Sequence, residues 1–173
     1  MPAKVDFSTL TLMDTLDLAT LIEVEAYKRY NLFVEQIGSS TEAGAFFQAM
    51  VENEKKHADE LAARRHELFG DTPANVKLDD LFDVEAPDVG ATYWNMSAFQ
   101  ACQVALHAEQ KAHDFYDRAL RKVTQPEVKA LFEELRDEEA EHVRMVEEII
   151  AKLPPSAKAD LEDEDDTSMR MGF

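Results

Sequence analysis

One cysteine, five glycines and six prolines in 173 residues leave this chain with few staples and few breaks. The lone Cys102 excludes an internal disulfide and any Cys-x-x-Cys pair, and with it a cysteine-rich iron site built by this chain alone. Basic residues are also scarce: 18 Lys and Arg against 36 Asp and Glu give a formal charge of −18. So acidic a chain disfavours nucleic acid and anionic membrane surfaces, both of which recruit Lys and Arg, and makes cations the natural ligands. No apolar run approaches the length of a bilayer span, and the amino-terminal Met-Pro-Ala-Lys-Val-Asp-Phe lacks the apolar core of a signal peptide. The expectation is a soluble cytoplasmic protein with neither nucleic-acid nor membrane partners.

What is present is helical punctuation. Long segments rich in Leu, Ala, Glu and Lys are separated by the few Gly and Pro residues, which indicates an all-α protein, and the length suits one domain. A first helix is expected from about Thr11 to Ile37, with Gly38 as its cap, and a second from about Thr41 to Phe69, stopped by Gly70. Residues 70–91 hold Gly70, Pro73, Pro87 and Gly90 without a sustained period and read as a long connection. A third helix follows over roughly Tyr93 to Val123. Thr124 is placed as the cap of a fourth, which carries Pro126 in its first turn and ends at Pro154-Pro155. Short, long and short connections imply two helical hairpins joined by one crossover, the ferritin-like form of the four-helix bundle. The bundle domain is drawn over 1–155, and 156–173, with Asp160 and Glu162 to Asp166, is expected to be a disordered acidic tail.

Within the helices one pattern occurs twice. Glu23 is followed by Tyr30 and then by Glu54-Lys-Lys-His57; Glu109 is followed by Tyr116 and then by Glu139-Ala-Glu-His142. Steps of three and four give the stripes Leu16, Ala19, Glu23, Ala26, Tyr30 on the first helix and Phe47, Met50, Glu54, His57, Leu61 on the second. The third gives Phe99, Cys102, Leu106, Glu109, His113, Tyr116, Leu120, Val123, and the fourth Val128, Phe132, Leu135, Glu139, His142, Val146, Ile149, Leu153. Each stripe is apolar at its ends and broken near its middle by ligand-type side chains.

Four carboxylates in one buried layer would repel strongly and lose their hydration, at a cost of several kcal/mol each. Two divalent metals remove the conflict, since four Glu and two M(II) ions sum to zero charge while neutral imidazoles add nitrogen ligands. The expected metal ligands are therefore Glu23, Glu54, His57, Glu109, Glu139 and His142. The working assignment has Glu54 and Glu139 bridging, Glu23 and His57 on one metal, and Glu109 and His142 on the other.

Blander readings exist for every residue singled out. Glu and His on helices are mostly solvated, and one Glu-x-x-His is weak evidence; two copies, each centred in its stripe, favour the metal site. Tyr30 and Tyr116, the candidate catalytic residues, either donate to a ligand carboxylate or fill core volume. His113 is read as a satisfied core histidine, with an extra ligand or a donor to a ligand as the alternative. Glu138 and Glu141 are expected to face solvent, although a small shift of helical phase would exchange Glu138 for Glu139; His66 and His107 are expected to lie on the surface, and Cys102, Met50 and Trp94 to pack in core or loop.

On Glu23 with Arg29-Tyr30, Glu54-Lys-Lys-His57-Ala58, Glu109 with Tyr116, and Glu139-Ala-Glu-His142, the chain resembles the rubrerythrin-like branch of the ferritin-like di-iron carboxylate proteins over roughly residues 10–153. The resemblance implies two non-haem iron ions, replaceable by zinc or manganese, that react with hydrogen peroxide or dioxygen to oxidise Fe(II). A metal-holding protein that delivers iron or zinc to a partner is the alternative. Two departures bear on the activity. The family's four-cysteine electron-donating iron site cannot be built with one cysteine, so turnover would need an external electron donor. Peroxidase-type members also carry a further Glu where this chain has Ala112. A homodimer is expected.

Overall fold

The computed structural model describes residues 9–76 and 96–159. Among these, the chain forms α1 (Leu12–Ile37), α2 (Glu42–Phe69), α3 (Ala98–Leu120), α4 (Pro126–Lys152) and a short α5 (Pro155–Ala159), and no strand.

Local chemistry sets the starts. Thr11 and Asp14 form a reciprocal capping box on α1, with Asp14 N donating to Thr11 Oγ1 at 3.1 Å and Thr11 N to Asp14 Oδ2 at 3.0 Å. Thr41 caps α2 by accepting from Gly44 N at 3.0 Å. Ser97 and Gln100 make the second reciprocal box, on α3. α1 stops at Gly38 and α2 at Gly70, both at positive φ, where a Cβ would be strained. The turn between α1 and α2 is so close that a Cβ on Gly44 would stand 1.9 Å from the Gly38 carbonyl oxygen.

Pairing then builds the bundle. α1 packs chiefly on α2, and α3 on α4. The core falls into two halves. One gathers Leu16, Ile22, Leu61, Phe115, Tyr116, Phe132 and Leu135; the other gathers Tyr30, Phe33, Phe47, Met50, Cys102, Val146 and Ile149. Each main helix passes from one half to the other, α1 and α4 in one direction and α2 and α3 in the opposite one. α2 therefore ends where α3 does not begin, and the connection between them links opposite ends of the bundle, as the ferritin-like topology requires. In all four helices the acidic and imidazole side chains fall at the boundary between the halves, so one polar layer divides the core.

Several sequence expectations are corrected. The cap of α4 is Gln125, in extended conformation and without a side-chain hydrogen bond, rather than Thr124; Pro126 at the first helical position already fixes φ and has no N–H to satisfy. The buried face of α3 is turned from the expected stripe. Ala101, Cys102, Ala105, Ala108, Glu109, Ala112, Phe115, Tyr116 and Ala119 are buried, while Phe99, Leu106, His113 and Leu120 sit at the edge. Alanines let α3 approach its neighbours closely, which outweighs the larger apolar side chains in setting the inward face. Residues 155–159, drawn mostly as the start of a disordered tail, form α5. The remainder of that tail, the crossover beyond residue 76, and the helical start placed at Tyr93 lie outside the described residues.

Candidate metal centre

The boundary layer holds Glu23 from α1, Glu54 and His57 from α2, Glu109 from α3, and Glu139 and His142 from α4, all buried. They fall into two groups, Glu23, Glu54 and His57, and Glu54, Glu109 and His142, with the ligand-type atoms of each group within 4.8 Å of one another. Glu54 belongs to both. His57 Nδ1 stands 3.5 Å from Glu23 Oε2 and 3.9 Å from Glu54 Oε2. His142 Nδ1 lies 3.2 Å from Glu109 Oε2, 3.3 Å from Glu139 Oε2 and 3.6 Å from Glu54 Oε1. The rings themselves are nearly parallel, 21° apart with centroids 6.5 Å from each other, so both imidazoles turn Nδ1 toward the carboxylates from equivalent positions in the two repeats.

Charge is poorly accommodated by protein atoms alone. Burial works against ionisation of Glu109, yet hydrogen bonds from Glu139, His142 and Tyr30 outweigh it and hold the carboxyl down at about 2. Glu139 moves the other way, pushed well above the usual carboxylate range by burial and then by the charges of Glu109, Glu23 and Glu54. Metal-free, the pair keeps a proton on Glu139 that faces Glu109. Burial also opposes the charge of His57, but Glu23 and Glu138 beside it raise its pKa overall. Glu23 Oε2 and His57 Nδ1 are shut off from solvent and satisfy no hydrogen-bond geometry, a costly state for polar atoms and one that a cation between them would relieve. Hard oxygen donors with one imidazole nitrogen per group suit a divalent first-row metal.

Two sets of outer contacts hold the layer, and both cross between the repeats. Tyr30 donates to Glu109 Oε1 and Tyr116 donates to Glu23 Oε1, each tyrosine serving the opposite repeat rather than its own. Their rings meanwhile pack in the two core halves, Tyr30 stacked on Phe47 with centroids 5.6 Å apart and Tyr116 edge-on to Phe132 at 5.2 Å. Donation and core filling, alternatives on sequence alone, are both realised. Burial and nearby carboxylates raise both phenol pKa values well above the ordinary range, so the hydroxyls remain donors. The second set is not apparent from sequence. Asn53 Nδ2 lies 3.0 Å from His142 Nε2, and Glu138 Oε2 is in contact with His57 Nε2. Glu138, expected to face solvent, instead reaches inward while its side chain stays 34% exposed. The available signal is positional: Asn53 and Glu138 each directly precede the Glu of a Glu-x-x-His.

A family model described as Rubrerythrin matches residues 14–150, with a further match over 100–169. The chain belongs to the rubrerythrin family. Among solved structures, the chain is similar to an uncharacterized conserved protein from Magnetospirillum magnetotacticum MS-1, with 26% identity, a TM-score of 0.70, and coverage of 84% of this chain and 97% of that one. No curated protein matches it.

Other candidates in this rubrerythrin-family chain fall outside the layer. His113 is neither ligand nor core residue: with α3 turned, it lies at the helix edge, 37% exposed and 3.7 Å from Asp114. His66 and His107 are exposed, as is Glu141, which pairs with Arg144 on its own helix. Met50 packs in the core. Cys102 does too, and burial pushes its thiol up to about 12, which removes it as a nucleophile or thiolate ligand. Trp94 lies outside the described residues. Among the described residues no helix is long and apolar enough to cross a membrane.

Proposed function

We propose that this rubrerythrin-family protein holds two iron ions between its hairpins and oxidises Fe(II) at the expense of hydrogen peroxide or dioxygen. The observation that carries this reading is Glu54, a single carboxylate shared by two buried Glu/Glu/His groups, the arrangement that lets one side chain bridge two cations. Glu23 and His57 would complete one position and Glu109 and His142 the other, with Glu139, hydrogen-bonded to Glu109, as the second bridging candidate. Bound iron would supply one electron from each of two Fe(II), so that hydrogen peroxide and two protons leave as two waters. The protein's share is to keep Glu23 and Glu109 oriented through the Tyr116 and Tyr30 hydroxyls, and to exclude bulk water with Ile22, Leu135 and Val146 around the layer. Tyr30 and Tyr116 are accordingly placed as the catalytic side chains beyond the ligands. Zinc or manganese would fit the same donors. A cytoplasmic homodimer that receives electrons from an external donor completes the proposal.

A second reading, a protein that holds or delivers metal without turnover, is favoured by one position. Ala112 is buried where a further carboxylate would belong in a peroxidase-type site, which leaves the centre with fewer ways to change its coordination. Anaerobic Fe(II) titration followed by stopped-flow absorbance with hydrogen peroxide, and separately with dioxygen, distinguishes the two. Two irons per chain, oxidised rapidly in the wild type and not in Glu54→Ala, is the expected result; stoichiometric iron that fails to react would establish the holding function instead.

A further inference from the structure

The two repeats place their outer histidine partners symmetrically but not with the same chemistry. Position 53 on α2 serves His142, and position 138 on α4 serves His57, each meeting Nε2 of the histidine from the other repeat. One partner is a neutral amide and the other a carboxylate. We infer that Glu138 and Asn53 are positioning residues that make the two metal positions unequal, with the Glu23/His57 position the first and tighter to fill. This rests on the metal reading above.

The difference between the two partners is one of charge. The Glu138 carboxylate stands against His57 Nε2 and so adds negative charge behind the ring whose Nδ1 faces Glu23 and Glu54, which favours a cation at that position. A carboxylate behind the ring also makes Nδ1 a stronger donor, the role carboxylates play behind metal-bound histidines generally. Asn53 gives no such bias. Its neutral amide lies 3.0 Å from His142 Nε2 and adds no charge behind that ring, whose Nδ1 faces Glu109 and Glu139. One position therefore has a carboxylate behind its histidine and the other only a neutral amide.

Co(II) binding to the metal-free full-length protein tests this without any turnover, through the visible absorption of the bound ion and calorimetry. The wild type should bind in two steps separated by about 10–100-fold, the range in which such outer partners act. Glu138→Gln should weaken the first step by about tenfold or more and leave the second in place, while Asn53→Asp should tighten the second by a similar factor. Because Glu138 and Asn53 are both only partly buried, neither variant removes core packing, and an unchanged helical circular dichroism signal would confirm that the fold persists. Glu23→Gln should abolish the tight step and Glu109→Gln the weak one. If Glu138→Gln weakens both steps equally, or neither, or if Asn53→Asp has no effect on the second, the inequality is not set by these residues although the metal site stands. A wild type that binds no Co(II) overturns both the inference and the metal reading.

Discussion

Removing Glu54 should have opposite effects on the protein and on its metal site. The carboxylate is 1% exposed and sits among Glu23, Glu109 and Glu139, so the metal-free fold carries its desolvation and repulsion. Glu54→Leu is expected to raise the stability of the metal-free protein by about 1–3 kcal/mol, measured by urea denaturation, while abolishing metal-induced stabilisation. A loss of metal-free stability would mean that the layer is held together by its own hydrogen bonds. The tyrosines make a gentler test. Tyr30→Phe keeps the ring against Phe33 and Phe47 but removes the hydroxyl from Glu109, so stability should change by no more than about 1 kcal/mol. Metal affinity should fall by about tenfold at the Glu109 position, and Tyr116→Phe should do the same at Glu23. An effect of Tyr30→Phe at Glu23 instead would contradict the crossed arrangement. All six ligand candidates were legible from spacing alone, because a Glu or His in the middle of an apolar stripe is costly to bury unless a cation or a hydrogen-bond partner meets it there. Asn53 and Glu138 were not, since their roles depend on the rotation of one helix against another.

At the scale of elements, the α1–α2 turn is the most constrained feature. Gly44 lies in the first turn of α2 directly against the Gly38 carbonyl, and the atom in the way is backbone rather than a movable side chain. Gly44→Ala should therefore destabilise the protein by about 1–3 kcal/mol despite the higher helix propensity of alanine, read as a lower Tm at unchanged helical content. A neutral or stabilising outcome would show that the hairpin opens without loss of packing. Helix starts at Thr11 and Thr41 and stops at Gly38 and Gly70 could be read from sequence because capping chemistry is local. The face of α3 could not. Its stripe of Leu106, His113 and Leu120 fits helical spacing as well as the alanine-rich face that is buried, and only close packing between helices selects the second.

Across the whole molecule, proton and metal equilibria should be linked. Glu139 and His57 both have folded pKa values above their free ones, so each contributes stability that is fully present below its free value and is lost as pH rises through the folded value. The metal-free protein should consequently lose stability from slightly acid to slightly alkaline pH, the His57 part of the loss beginning above about 6.5. Metal binding displaces both protons, and its affinity should rise over the same interval. Calorimetric titration with Zn(II) in two buffers of different ionisation enthalpy should reveal net proton release. At a metal concentration of about 100 times Kd, each site adds about 2.7 kcal/mol, a rise in Tm of very roughly 5–10 °C that a chelator reverses. Because the layer joins both hairpins, this stabilisation should appear as one cooperative transition rather than as protection of α1 and α2 or of α3 and α4 alone. A buffer-independent enthalpy would show that the layer holds no displaceable proton, and metal-dependent melting in two phases would show that the hairpins do not share the site.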